Sequence, residues 1–567
     1  MATPSRVKTT AQSSALLLDK LSAVLPKGYR FGVYHLSTPP IKTDALYSAP
    51  PDEREDKTYC ERHFLAISID VPFNTARADK PTKDDNASRP VLILALEVFI
   101  YTTAYSSTFF VAKADSTGYL KLLNLPRGTP SPIKEISSVF VSYLVEQRRR
   151  KGIQSVVSLF ARAQDQYLFP GSVEYGGKHV LDDRGLVKWW CKVLDPLLEN
   201  PPGAPWGDVK GYLVIPGLDL YETKAFLPKT PNSAAKWVLG HALEKISHYT
   251  KEYDWVPARC LIPRFPDDPK SRFRDELDEE TGKSKQLKTT GQWKSVKSLD
   301  TFWEMMAYRQ ECSSGRLTGF IWVVFDPEAE QARQASSSNT LPTPNPSFSY
   351  QAGDAHVYTT QAIPRASSGT LSNAKLEKLE RKNKKKKTKL TGVIKPRQPR
   401  IKTQQRNYLL DKPISTAYYY WPAEGRGRKI VDENDYKRVN ELLLRLDFAN
   451  LDIATSGTRR WISEVGMGDS WGLEVTGTKE TPAPSPNEPS TGIVNNLAGL
   501  VKRKRSEESA ATGSGEPANK VNVLSTGLIR RKSKEETAGV DAAKANGEES
   551  SKVNVLGAGL IRKKRDA

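Results

Sequence analysis

Two adjacent carboxylates, Asp267 and Asp268, stand between Pro266 and Pro269 in RFPDDPKSRF (264–273), with Arg264, Lys270 and Arg272 around them. Such a pair suits general acid–base work, because each negative charge raises the pKa of its neighbour and makes one member a better base. The flanking prolines restrict the backbone that presents it. Other polar and aromatic residues interrupt apolar surroundings. Arg162 and Tyr167 lie in RAQDQYLFP (162–170), and His179 and the pair Trp189–Trp190 in GGKHVLDDRGLVKWW (176–190). Arg127 lies in the turn that ends KADSTGYLKLLNLPRGTP (113–130). Each has a plainer structural reading taken singly: a solvated turn, a satisfied histidine, a core tryptophan pair.

Familiar sites do not account for these residues. GSVEYGGKH (171–179) looks like a phosphate loop, but its glycine spacing is wrong, and His179 follows Lys178 where Ser or Thr should stand. There is no GxSxG, no HExxH and no GxGxxG after a strand. Cys60, Cys191, Cys260 and Cys312 show neither CxxC spacing nor a Cys/His cluster, so reduced structural thiols are expected and no metal.

Periodicity predicts the elements that must position the candidates. Residues 14–25 and 131–150 read as helices, the second with Ser131 as N-cap, Pro132 at N1 and Ile133, Ile136, Phe140 and Leu144 on its apolar face. Residues 185–199, 299–312 and 432–448 read as further helices, with Asp432 capping the last. Strands are predicted at 29–37, 63–71, 155–160, 319–325 and 416–422, and a long buried hairpin over 90–115. The fold class is α+β: a central mixed, largely antiparallel sheet surrounded by helices.

Composition sets the limits. Of 567 residues 38% are hydrophobic, low enough to imply disordered segments, and no 18-residue apolar run suggests a membrane span. The start, MATPSRVKTTAQSS, has no apolar signal-peptide core. Of the net charge of +20, the stretch 371–410 carries +12 and 481–567 carries +5, so the folded part is close to neutral and direct DNA binding is not expected to be its primary task. The expected domains are 14–326, a disordered Ser/Pro/Lys-rich insertion at 327–404, a strand and helix at 405–475 that complete the first domain, and a disordered basic tail at 476–567. The tail repeats a unit in NNLAGLVKRKR (495–505), VNVLSTGLIRRK (521–532) and VNVLGAGLIRKKR (553–565). Each copy is too short for a core and reads as a linear docking motif used several times over. The basic runs read as nuclear import signals.

FVAKADSTGY, QYLFP, KHVLDDRGLVKWW, FPDDPKSRF and FWEMMAYRQE, in this order, resemble the fungal histone H3 lysine acetyltransferase family known as regulator of Ty transposition, a fold relative of the CBP-type acetyltransferases. The resemblance implies that fold, and acetyl transfer from acetyl-CoA to newly synthesised histone H3. It implies H3–H4 presented by chaperones of the anti-silencing-function and nucleosome-assembly-protein types, and a nuclear role in nucleosome assembly, DNA replication and repair and genome stability. It implies Asp268 as the catalytic aspartate beside Asp267, Lys270 as an autoacetylated interior lysine, and Trp190 and Tyr167 as walls of the substrate-lysine tunnel. It assigns acetyl-CoA to Ala114, Asp115 and Ser116; to Leu123, Asn124, Leu125, Pro126 and Arg127; to Phe160 and Gln164; and to His179, Val180, Leu181 and Trp189.

Chemistry and resemblance agree. A lysine amine is mostly ammonium at neutral pH, with a pKa of ~10.4. Aromatic walls disfavour that charge, and a carboxylate can take the proton. On this reading the prolines turn Asp268 into the tunnel and let Lys270 face inward. A rival is an inactive histone-binding adaptor on the same fold, separated by acetyl-CoA turnover. Another is a nucleic-acid binder acting through the lysine run, separated by a salt-sensitive gel shift that survives loss of 14–326.

Overall fold

The computed structural model describes residues 6–71, 89–203, 205–230, 235–282, 290–313, 315–328, 409 and 411–482. The expectations for the basic insertion (329–408) and the repeat-bearing tail (483–567) lie outside the described residues.

Among the described residues, 11 strands form one mixed sheet. They are β1 (Arg30–Ser37), β2 (Ile41–Thr43), β3 (Thr58–Val71), β4 (Arg89–Thr102), β5 (Ser106–Ser116), β6 (Gln154–Ala161), β7 (Asp208–Val214), β8 (Trp237–Leu239), β9 (Gly319–Asp326), β10 (Lys429–Ile430) and β11 (Leu473–Thr476). The order across the sheet is β10-β1-β3-β4-β5-β6-β9-β7-β8, with β11 also on β1 and β2 on β3. Among these strands, parallel pairing is confined to β1–β10, β5–β6 and β7–β8. The main helices are α1 (Arg6–Val24), α2 (Pro132–Gln147), α3 (Asp183–Glu199), α4 (Pro269–Gly282), α5 (Leu299–Met306), α6 (Glu433–Leu444) and α7 (Leu451–Gly466). No helix among the described residues is long and apolar enough to cross a membrane.

The predicted hairpin is β4 and β5. Its turn is fixed by Thr103, whose Oγ1 accepts from the backbone N–H of Tyr105 and of Ser106, both at 3.1 Å. The parallel β5–β6 pair requires a crossover, which α2 provides. Pro132 opens α2, and the Ser131 side chain makes no capping bond. Strand β9 shows why an unbroken apolar run is a strand here. Ile321, Val323 and Phe325 enter one core with residues of α2 and α3, while Phe320, Trp322 and Val324 enter another with Phe273 of α4 and Phe302 and Met306 of α5.

The stretch 416–422 is not the predicted strand. Thr416 Oγ1 accepts from the N–H of Tyr418 and Tyr419, its own N–H donates to the Tyr419 carbonyl, and only the bridge Ser415–Tyr420 is sheet-like. A hydroxyl-stabilised turn has displaced the ladder that the tyrosines favoured. The helix predicted over 299–312 ends at Met306. Helix α7 was not anticipated; Asn450 caps it, and its Trp461 packs beside Tyr34 and Phe64.

Candidate active site

Strands β5 and β6 run together only from Ser106–Phe110 against Gln154–Ser158. Beyond that point they part, and Val111–Ser116 and Leu159–Ala163 become two walls of a cleft of about 390 Å³. Helix α3 adds Leu186, Trp189 and Trp190, the start of α2 adds Ser131 and Ile133, and the loops add Tyr167 and Lys178–Leu181. A parting of this kind leaves facing backbone edges without a ladder partner, which suits an extended ligand carrying its own amides.

Asp115 organises this place. Its Oδ2 accepts from the N–H of Tyr167 at 2.7 Å, Leu168 at 2.9 Å and Phe169 at 3.3 Å, while Oδ1 receives the Ser116 N–H at 2.7 Å and Lys178 Nζ at 3.0 Å. One carboxylate thus ties the end of β5 to the segment bearing Tyr167 and to the loop bearing His179. Gly118 lets the two approach. At φ +89° it is left-handed, and a Cβ there would lie 2.5 Å from the Lys178 backbone. On the opposite wall Asp183, in the first turn of α3, accepts from the N–H of Ala163 at 2.7 Å and of Leu317 at 3.1 Å. Trp189 and Trp190 meet edge to face at 4.9 Å.

The acid pair divides between two environments. Pro269 opens α4, and Asp268 acts as its cap: Oδ1 accepts the Lys270 N–H at 3.0 Å. Asp268 and Lys270 are fully buried and close a tight ion pair through Oδ2 and Nζ. Lys270 Nζ lies 5.1, 5.2 and 5.9 Å from the rings of Phe265, Phe320 and Trp322. Burial pushes Asp268 up against the opposing pull of Lys270. It pushes Lys270 down against the opposing pull of Asp268. Asp267 is exposed, with φ +59°, a conformation that non-glycine residues hold at a cost and that recurs at functional sites. Burial raises the Tyr167 hydroxyl above its usual range, and Asp267 is the next cause, so the exposed carboxylate acts on that tyrosine.

The structure gathers Ala114, Asp115, Ser116, Phe160, Gln164, Tyr167, His179, Val180, Leu181, Trp189 and Trp190 around one cleft. Leu123 ends a short helical turn, Tyr119–Leu123, and Asn124, Leu125, Pro126 and Arg127 follow it; none of the five lines the cleft. Neither do Asp267, Asp268 and Lys270. The N-cap role of Asp268 was readable in the DDP order, an acidic residue directly before proline. Lys113, Arg162 and Lys178 also line the cleft; no spacing rule singles out Lys113 or Lys178 within KAD or GGKH.

The family model of the histone acetyltransferase KAT11-type domain matches residues 17–155 and 149–464. The chain is 37% identical over 539 residues to histone acetyltransferase rtt109 of Aspergillus flavus, a match spanning 87% of this chain and 90% of that protein. It is 33% identical over 241 residues to histone acetyltransferase rtt109 of Schizosaccharomyces pombe, spanning 41% of this chain and 56% of that one. The crystal structure of Rtt109 from Aspergillus fumigatus superposes with a TM-score of 0.59 at 34% identity, over 82% of this chain and 100% of that one.

Proposed function

The chain belongs to the KAT11-type histone acetyltransferase family and is a histone lysine acetyltransferase; on that premise we propose that its acceptor is newly synthesised histone H3. The H3–H4 pair is presented by chaperones of the anti-silencing-function and nucleosome-assembly-protein types. The work is nuclear and serves nucleosome assembly, DNA replication and repair and genome stability.

The observation that carries the reading is the parted β5–β6 cleft with Trp189, Trp190 and Tyr167 on its walls. Acetyl-CoA supplies an activated thioester acyl group. The backbone of Val111–Ser116 and Leu159–Ala163 fits its amide-bearing arm. The uncapped N–H groups at the start of α2, beside Ser131 in the cleft wall, suit its phosphates. Trp190 and Tyr167 enclose the acceptor side chain and favour its neutral form. Asp268 lies behind the cleft lining, paired with Lys270, and takes the proton of the amine once that pair opens. Acetylation of Lys270 removes the ammonium that now occupies Asp268 and lowers the cost of keeping that side chain inside. Asp267 orients from the exposed side.

The test is transfer of labelled acetyl groups to H3–H4, with and without a chaperone, for wild type and Asp268→Asn. Chaperone-stimulated labelling of H3 is expected, falling by ~10²-fold or more in the variant. Near-normal turnover by Asp268→Asn removes its role as base. Labelling confined to another histone removes the H3 assignment.

A further inference from the structure

Glu97 is a carboxylate in the apolar run of β4, and it is buried. Its Oε1 accepts from the Tyr436 hydroxyl at 3.0 Å and from Asn440 Nδ2 at 3.1 Å, both on α6. Its Oε2 faces Lys113 Nζ at 3.3 Å. The β4–β5 register shifts at this point: Glu97 opposes Lys113 while Val98 opposes Val111, so Ala112 is the extra residue of a bulge. Bulges re-aim the side chains next to them. Here Lys113 reaches the cleft wall, with Nζ 6.0 Å from the centroid of the Tyr167 ring. A carboxylate gripped by two side chains of a distant helix, acting through a bulge, is more apparatus than a solvated lysine needs.

We propose that Lys113 is a fixed cation of the acceptor channel, held there by the positioning residues Glu97, Tyr436 and Asn440, and that it keeps the bound acceptor amine neutral. The proposal rests on placing the acceptor lysine between Tyr167 and Trp190. In a desolvated channel a neighbouring positive charge lowers the pKa of an amine, so the proton leaves before attack. The other charges around Tyr167 are Asp267, Glu97 and Arg162. Asp115 and Lys178, close by, neutralise each other. Glu97 offsets Lys113 only in part, because Tyr436 and Asn440 draw on its other oxygen and the ammonium end of the pair is the one beside Tyr167.

The experiment uses the full-length enzyme with acetyl-CoA and H3–H4, following kcat and kcat/KM against pH for wild type, Lys113→Met, Lys113→Arg and Glu97→Gln. The acid limb of kcat reports the bound complex, and that of kcat/KM the free species. Lys113→Met is expected to move the acid limb of kcat up by ~1 pH unit, an about tenfold loss on that limb recovered at high pH. Lys113→Arg keeps the wild-type limb, Glu97→Gln falls between, and the KM for acetyl-CoA stays within about twofold of wild type. A loss in Lys113→Met that is equal at every pH overturns the proposal, because a merely structural lysine would give that. A raised KM for acetyl-CoA with an unmoved limb also overturns it, placing the cation on the donor phosphates. Trp190→Phe is run alongside. Unaltered kcat and histone KM there overturn the channel placement and the proposal with it. An altered Trp190 variant with an unmoved Lys113→Met limb overturns the proposal alone.

Discussion

Two of the buried ion clusters among the described residues are built in opposite ways. In the first, Arg148 grips Glu61 through Nε at 2.8 Å and Nη2 at 2.6 Å and donates also to the Gly425 carbonyl at 2.8 Å. His63 meets the same carboxylate at 2.8 Å and His35 at 2.9 Å. In the second, Lys270 and Asp268 have each other, backbone N–H groups and the faces of three aromatic rings. Burial works against the charge of Glu61, yet Arg148 and His63 outweigh it and bring the group down to about 2. Burial wins at Asp268, which moves up, and at Lys270, which moves down. A guanidinium fork and a histidine lock one carboxylate in its ionised form, whereas a point-charge ammonium among rings opposes the burial of the other without overcoming it. The first cluster joins β1, β3 and the end of α2 to residue 425; the second stands in the segment proposed above to carry the chemistry.

The sharpest way to break this contrast is to remove the cation of each cluster. Arg148→Met takes from Glu61 the largest force opposing its burial and leaves the Gly425 carbonyl without its donor, and should destabilise the fold by about 3–5 kcal/mol. Lys270→Met strands an Asp268 already raised by burial, which protonates instead, and should cost about half as much or less. Chemical denaturation of both variants checks this, and equal losses would erase the distinction. Next in size is the acid side of stability. The folded pKa of Glu61 lies below its ordinary 4.5, so its contribution is complete above that value and is lost as pH falls toward about 2. Burial, the leading cause, also lowers His35 and His63, so the unfolded chain binds more protons and stability already begins to fall below about pH 6.5. A denaturation midpoint flat from pH 7 to about 4 would contradict this. The smallest effect sharpens the comparison from outside. The exposed pair Arg460–Glu464 on α7 should cost about 0.5 kcal/mol or less in Arg460→Ala.

Much of the frame was legible because its signals are local. The 90–115 hairpin is a β-branched, aromatic run with a turn in it, and α2 carries Pro132 at N1. What escaped reading depends on partners distant in sequence. Asp115 shows its purpose only when Tyr167, Leu168 and Phe169 arrive above it, and Glu97 only when Tyr436 and Asn440 do. Tyr418–Tyr420 failed as a strand for a local reason, since one threonine hydroxyl outbid the ladder. Helix α7 was missed because Thr455, Gly457 and Thr458 weaken its propensity, while burial of Trp461 secures it.

Strand β1 is completed by β11, Arg30 lying opposite Thr476 and Val33 opposite Leu473. During synthesis at roughly 5–20 residues per second, the edge of β1 waits on the order of 20–90 s for its last neighbour. Through that time an N-terminal strand presents open N–H and C=O groups in a crowded cell. The nascent enzyme is therefore most exposed to mispairing while it is nearly finished, and a ribosome that stalls before Leu473 releases a chain that has most of its core and an unguarded edge.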